Sequence, residues 1–123
     1  MNPGLTKTYT AQGAIPARAI VKAGSADGTV AVATASTDAI LGVAERLDVD
    51  DGDRVDVIHG GVAEVVCGGS VAFGSYLTAS NAGVAVAAAP AVGANAQVVG
   101  KALCAGVAGD IIDTLLTLTR IQG

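Results

Sequence analysis

Four aspartates, Asp48, Asp50, Asp51 and Asp53, crowd into six positions of AERLDVDDGDRVDVIHGG, residues 44–61. Carboxylates at this density could hold a cation, or could bond main-chain amides in a turn between strands. A helix-loop-helix calcium loop needs alternating oxygen ligands, a Gly at the sixth position and an acidic residue at the twelfth. Counted from Asp48, those places hold Asp53 and His59. The pattern fails, so no metal site is assigned and a solvated turn is expected, with Gly52 supplying the awkward backbone angle and Asp53 bonding nearby amides.

His59 is the one histidine, so any Ser-His-Asp or Cys-His device would have to use it. It ends RVDVIH just before two glycines, a strand-end position that fits a structural or solvent-facing role. Cys67 and Cys104 sit among apolar residues with no second Cys and no His at ligand spacing, and are expected to be reduced, buried fillers. Glycines are dispersed, and neither a dinucleotide-binding nor a phosphate-loop motif is present. A lipoyl or biotinyl carrier would need a lysine between its halves, and residues 59–70 contain none. No catalytic residue and no cofactor is assigned.

The elements that position these groups read as short strands. Turn signals recur every eight to twelve residues: Asp27-Gly28 suits a tight hairpin, TVAVATA and RVDVIH alternate, and Gly60-Gly61 and Gly68-Gly69 break the runs around VAEVVC. SYLTASNAGVAVAAA, AQVVGKALC and DIIDTLLTLTRI complete the series. The expected fold is all-β, a small sandwich or barrel over residues 14–123, preceded by an extended N-terminal arm over residues 1–13.

Composition narrows the partners. Half the 123 residues are apolar, yet only Tyr9, Phe73 and Tyr76 are aromatic, so Ala and Val must fill a thin core. A subunit with so little large apolar volume gains from burying more surface against copies of itself or a larger assembly. In TVAVATA and GVAVAAA neither face is polar, which also points to a close neighbour. Net charge is −4 with the seven basic residues scattered, so neither a phosphate-binding stripe nor a base-stacking platform exists, and nucleic acid is not expected as a partner. The uncharged run between Glu64 and Lys101 is broken by glycines and Pro90, which argues against a membrane span. MNPGLTKTYTAQG has no apolar signal core, and the chain is read as made and kept in a cytosol.

The halves resemble each other. SADGTVAVA (25–33) matches SNAGVAVA (80–87), LGVA (41–44) matches VGKA (99–102), and GDRVD (52–56) matches GDIID (109–113). Gly52-Asp53 and Asp56 thus recur, whereas Asp48, Asp50 and Asp51 do not. What repeats is turn chemistry, and the expected fold includes an internal two-fold repeat.

The order ARAIVKAG, ILGVAERLDVDDGDRVDVIHGGVAEV, GSYLTASNAGVAVAA, VVGKAL and AGDIIDTLLTL, over residues 14–119, resembles the capsid cement or head decoration proteins of tailed bacteriophages. The resemblance implies a non-enzymatic β-domain without cofactor, assembled in the bacterial host cytoplasm and bound to the outer capsid surface. Its partners would be the major capsid protein and itself, as a homotrimer at three-fold or quasi-three-fold positions tying capsomers together. The arm would be the tether, adding a strand to a capsid sheet edge. Leu5, Lys7 and Tyr9 would point one way, Thr6 and Thr8 the other, and these five are the expected capsid-binding residues. A free-standing β-sandwich adhesion module of a phage tail or surface structure is the alternative, weakened by the scarcity of aromatics for stacking sugars.

Overall fold

The computed structural model describes residues 5–90 and 92–122, and the expected all-β architecture is what it shows. Ten strands run in order: β1 Thr6–Ala11, β2 Ile20–Ala23, β3 Thr29–Val32, β4 Ile40–Ala44, β5 Arg54–Ile58, β6 Val62–Val66, β7 Tyr76–Ala79, β8 Ala85–Ala87, β9 Asn95–Ala102 and β10 Ile111–Gln122. One 3-10 turn, Asn81–Gly83, joins β7 to β8. The first five strands close into a barrel in the order β1-β3-β2-β4-β5, and the last five form a sheet in the order β6-β10-β9-β7-β8.

Alternation builds the first barrel. In β5 Val55 and Val57 point inward and are buried, while Arg54 and Asp56 face water. The β2–β3 hairpin turns at Gly28, whose φ of 77° is a left-handed conformation that a side chain would strain.

The segment expected as an arm is corrected here. Thr6–Ala11 is a barrel strand, antiparallel to β5 along its length and parallel to β3 at Thr10 and Ala11. The boundary placed after residue 13 therefore falls inside one barrel, between β1 and β2. Residues 1–4 of the expected arm lie outside the described residues.

The second half repeats the first strand for strand. β6 to β10 take the places of β1 to β5, and the registers coincide: Tyr9 faces Val55 as Val65 faces Ile112, Ile20 faces Val43 as Tyr76 faces Lys101, and Val43 faces Ile58 as Lys101 faces Leu115. Even the parallel contact of β1 with β3 recurs, as a single bridge between Cys67 and Ala85 that brings the ends of the second sheet together. Main-chain bonds outside the ladders repeat too. Gly52 donates to the Ala11 carbonyl at 2.9 Å as Gly109 donates to Cys67 at 2.8 Å, and His59 donates to Leu5 as Leu116 donates to Gly61, both at 2.8 Å.

Two buried clusters result. One is the interior of the first barrel, with Ile15, Val21, Val30, Val55 and Val57. The other fills the second unit and continues across the junction, where Ile20, Ala33, Val43 and Ile58 from the outer face of the first half join Ala63, Val65, Val99 and Leu116 at the mouth of the second. Each of the larger of these side chains contributes roughly 1.5–3 kcal/mol when fully buried. The joint between the halves is thus as apolar as a barrel interior.

Candidate surface-binding strand

The five residues expected to bind a capsid lie on or beside β1, at the rim of the first barrel. Leu5 precedes the strand and is exposed. Thr8 Oγ1 donates to Asp56 Oδ1 at 2.6 Å across the β1–β5 ladder. Lys7 lays its ammonium over the Tyr9 ring, 5.3 Å from the centroid. The Leu5 and Ala11 main chains bond to the β5 side, so by the alternation of an antiparallel ladder the main-chain groups of Thr6 and Thr8 point away from β5. On that side β3 pairs only with Thr10 and Ala11, which among the described residues leaves a short open edge at Thr6 and Thr8.

Tyr9 closes a small polar network that the sequence did not reveal. Its hydroxyl lies 2.7 Å from His59 Nε2, and His59 Nδ1 lies 2.7 Å from the Leu41 carbonyl. A carbonyl can only accept, so Nδ1 carries the proton; with a neutral ring, Nε2 accepts from the tyrosine hydroxyl. The rings meet edge to face at a centroid distance of 5.5 Å. His59 is therefore tied to a carbonyl and a phenol, which orients it structurally. Its position at a strand end was the signal; Tyr9 as the partner could be found only from the β1–β5 register.

The aspartates also resolve into main-chain contacts. Asp48 Oδ1 accepts from the Ala17 amide at 2.7 Å and Asp51 Oδ1 from the Gly13 amide at 2.8 Å, so both hold the β1–β2 connection. Asp53 Oδ2 lies 3.4 Å from the Asp50 amide, and its repeat counterpart Asp110 accepts from Val107 at 3.0 Å. The turn reading describes what the carboxylates of Asp48, Asp51 and Asp53 do.

The two cysteines part company. Both are free thiols, but Cys67 is buried whereas Cys104 is exposed, contrary to the expectation that both fill the core. Cys104 stands just past β9 in the turn toward β10, where apolar sequence neighbours do not enforce burial. Desolvation pushes the Cys67 thiol pKa up, with the nearby Asp110 carboxylate and Cys104 adding to it.

A cleft of about 340 Å³ opens where the halves meet, lined by Arg18, Glu45, Arg46 and Glu64 among others. Glu64 Oε1 accepts from Arg18 Nε at 3.1 Å and from Arg46 Nε at 2.8 Å, clipping the rim of the joint. Part-exposed pairs of this kind add at most about 1 kcal/mol each. Among the described residues no helix is long and apolar enough to cross a membrane.

No family model matches the sequence, and no curated protein matches it. Among solved structures, the chain is similar to the N base of head fiber gp8.5 of bacteriophage phi29, with a TM-score of 0.70 and 20% identity over 97% of this chain and 98% of that one. A likeness at this identity establishes a shared fold from end to end.

Proposed function

We propose that this chain is a structural protein of a tailed bacteriophage head, a decoration (cement) protein that sits on the outer surface of the assembled shell as a homotrimer and stabilises capsomer contacts without catalysing a reaction. The observation that carries the reading is the fold shared over nearly its whole length with a phage head fiber base. The motif order that resembles head decoration proteins points the same way. A subunit of this kind needs many weak contacts repeated by symmetry, where linked sites gain avidity with no single strong one. The unpaired edge at Thr6 and Thr8 is the proposed shell contact: a capsid strand could add there through main-chain bonds, with Leu5 and Lys7 beside it.

The test is co-sedimentation with shells of the cognate phage, expanded and unexpanded. Saturable pelleting with expanded shells is the expected result, and no pelleting with either would end the proposal. Thr8→Pro, which alters the open edge, is expected to weaken pelleting at least tenfold while the melting temperature shifts by only a few degrees.

A further inference from the structure

The joint between the two halves covers two surfaces, and each has a counterpart that the described residues leave bare. Within the chain, the outer face of half one plugs the mouth of half two. By the repeat, the outer face of half two and the mouth of half one are the same two surfaces without an occupant. Burial follows this rule at the centre of the joint. Ile20 is 0% exposed and its counterpart Tyr76 39%; Ile58 is 8% exposed and its counterpart Leu115 42%. Val43 is buried and its counterpart Lys101 exposed. On the other surface Val65, Val99 and Leu116 are buried, while Tyr9, Leu41 and His59 are only partly so.

The β2–β3 and β7–β8 turns obey the same rule. A Cβ on Gly83 would come within 3.0 Å of Ala19, Val32 and the Ile20 carbonyl, because that turn is pressed against half one; a Cβ on its counterpart Gly28 would meet nothing within 4 Å. The aromatic residues give an independent sign. Both tyrosines of this aromatic-poor chain stand on the bare surfaces, one on each, and each carries a lysine across its ring, at 5.3 Å for Lys7 on Tyr9 and 5.0 Å for Lys101 on Tyr76. Tyrosine is enriched where protein surfaces meet.

We infer that copies of this chain associate head to tail, the half-two outer face of one copy (Tyr76, Lys101, Leu115) covering the half-one mouth of the next (Tyr9, Leu41, His59). The contact continues the internal joint across chains. It uses two different surfaces and therefore closes into a ring when the rotation per copy permits. The copy number is that of the trimer proposed above, on which this inference rests for that point alone; three copies would set six repeats about one axis. Ile58 and Ala63 line one cleft at the internal joint, so their counterparts Leu115 and Lys7 are neighbours across the contact.

Sedimentation of the purified chain, in the absence of shells, is expected to give the mass of three chains. Leu115→Glu breaks one surface and Leu41→Glu the other, so each variant alone is expected to run as a monomer. Mixed in equal amounts, they retain one complete contact and are expected to give a dimer and nothing larger. Because Leu41 also packs on the first barrel, a second measurement uses two exposed positions: Lys7→Cys with Leu115→Cys, in a Cys104→Ser background, treated with a short bis-maleimide. Covalent rings are expected from the double variant and none from either single one. A monomeric wild type, a Leu115→Glu variant that keeps the wild-type mass, or a double-cysteine variant that does not cross-link would overturn the inference. Rings that fail to pellet with shells would instead sink the head-surface reading and leave this contact standing.

Discussion

Gly42 and Gly100 occupy the same place in the two halves: each lies so close to the adjoining strand that a Cβ would run into a main-chain carbonyl, that of Ile58 for Gly42 and that of Leu115 for Gly100. Each also sits where the second strand of its unit crosses the fourth, since Val21 pairs with Gly42 and Leu77 with Gly100. The obstacle is backbone, which cannot swing aside as a side-chain end can. Gly42→Ala and Gly100→Ala are each expected to destabilise the fold by about 2–3 kcal/mol, read as a lower urea midpoint. Gly52→Ala offers a contrast, because a Cβ there meets nothing and the cost is only that of a left-handed backbone at φ 85°.

Thr114 points into the second unit where the first has Val57, and its hydroxyl is buried with no partner among the described residues. An unsatisfied buried hydroxyl costs on the order of 1–3 kcal/mol. Thr114→Val keeps the shape and removes the cost, so the melting temperature is expected to rise by several degrees; a fall would show that the hydroxyl is satisfied in solution.

Asp38 gives stability an acid limb. Its carboxylate accepts from the Thr34 amide at 2.8 Å and the Ala35 amide at 3.2 Å, and lies 3.7 Å from Lys22 Nζ. The Thr34 amide chiefly holds its pKa below the ordinary aspartate value, with Ala35 and Lys22 assisting and partial desolvation opposing. A carboxyl depressed in the folded state stabilises above its unfolded pKa and loses that contribution as pH falls through its folded pKa. Asp38→Asn is expected to lower stability by roughly 1 kcal/mol at pH 7. The loss should shrink toward zero in melts taken below the folded pKa.

The thiols separate by access. At pH 8 Cys104 is expected to react with a disulfide reagent at once, while Cys67, buried and with its thiol pKa raised, reacts only as the fold opens. Two equal fast phases would contradict the buried bridge that joins Cys67 to Ala85.

For the aspartate turn, Asp48→Ala is expected to cost about 1 kcal/mol by freeing the Ala17 amide. Millimolar calcium is expected to leave the melting temperature unchanged. A rise abolished by Asp50→Ala with Asp51→Ala would make this a cation site.

Much of the fold was legible because Val and Ile alternate where one strand face is buried, as in RVDVI, and because Gly-Asp turns recur at matching places. The paired motifs fell on β3 with β8, β4 with β9 and β5 with β10, the last two in the register the strands adopt. The first is out by one residue, because the strands set Val30 in the place of Ala85 and the motif matches it to Val84. Strand β1 was not legible. TKTYTA buries only Ala11 fully, since Lys7 and Tyr9 stand at an unplugged mouth, and without apolar alternation it reads as an arm. The joint was hidden for a related reason: Ile20 and Tyr76, or Val43 and Lys101, do the same backbone work with opposite exposure, so pattern alone cannot say which is covered. His59 could be judged structural from its place, but its bonds to Tyr9 and Leu41 depend on strands distant in sequence.

A fold repeated in tandem leaves two raw ends, and this molecule has finished them differently from its middle. Where the weld holds Ala63 and Val43, the ends offer ammonium groups folded over phenol rings. Such caps keep an unjoined end wetted, while the ring faces and methylene stems beneath are what the next copy covers as three molecules close on one another. Exchanging both lysines for their inner counterparts would leave those ends apolar before they meet, and indiscriminate sticking would compete with ring closure.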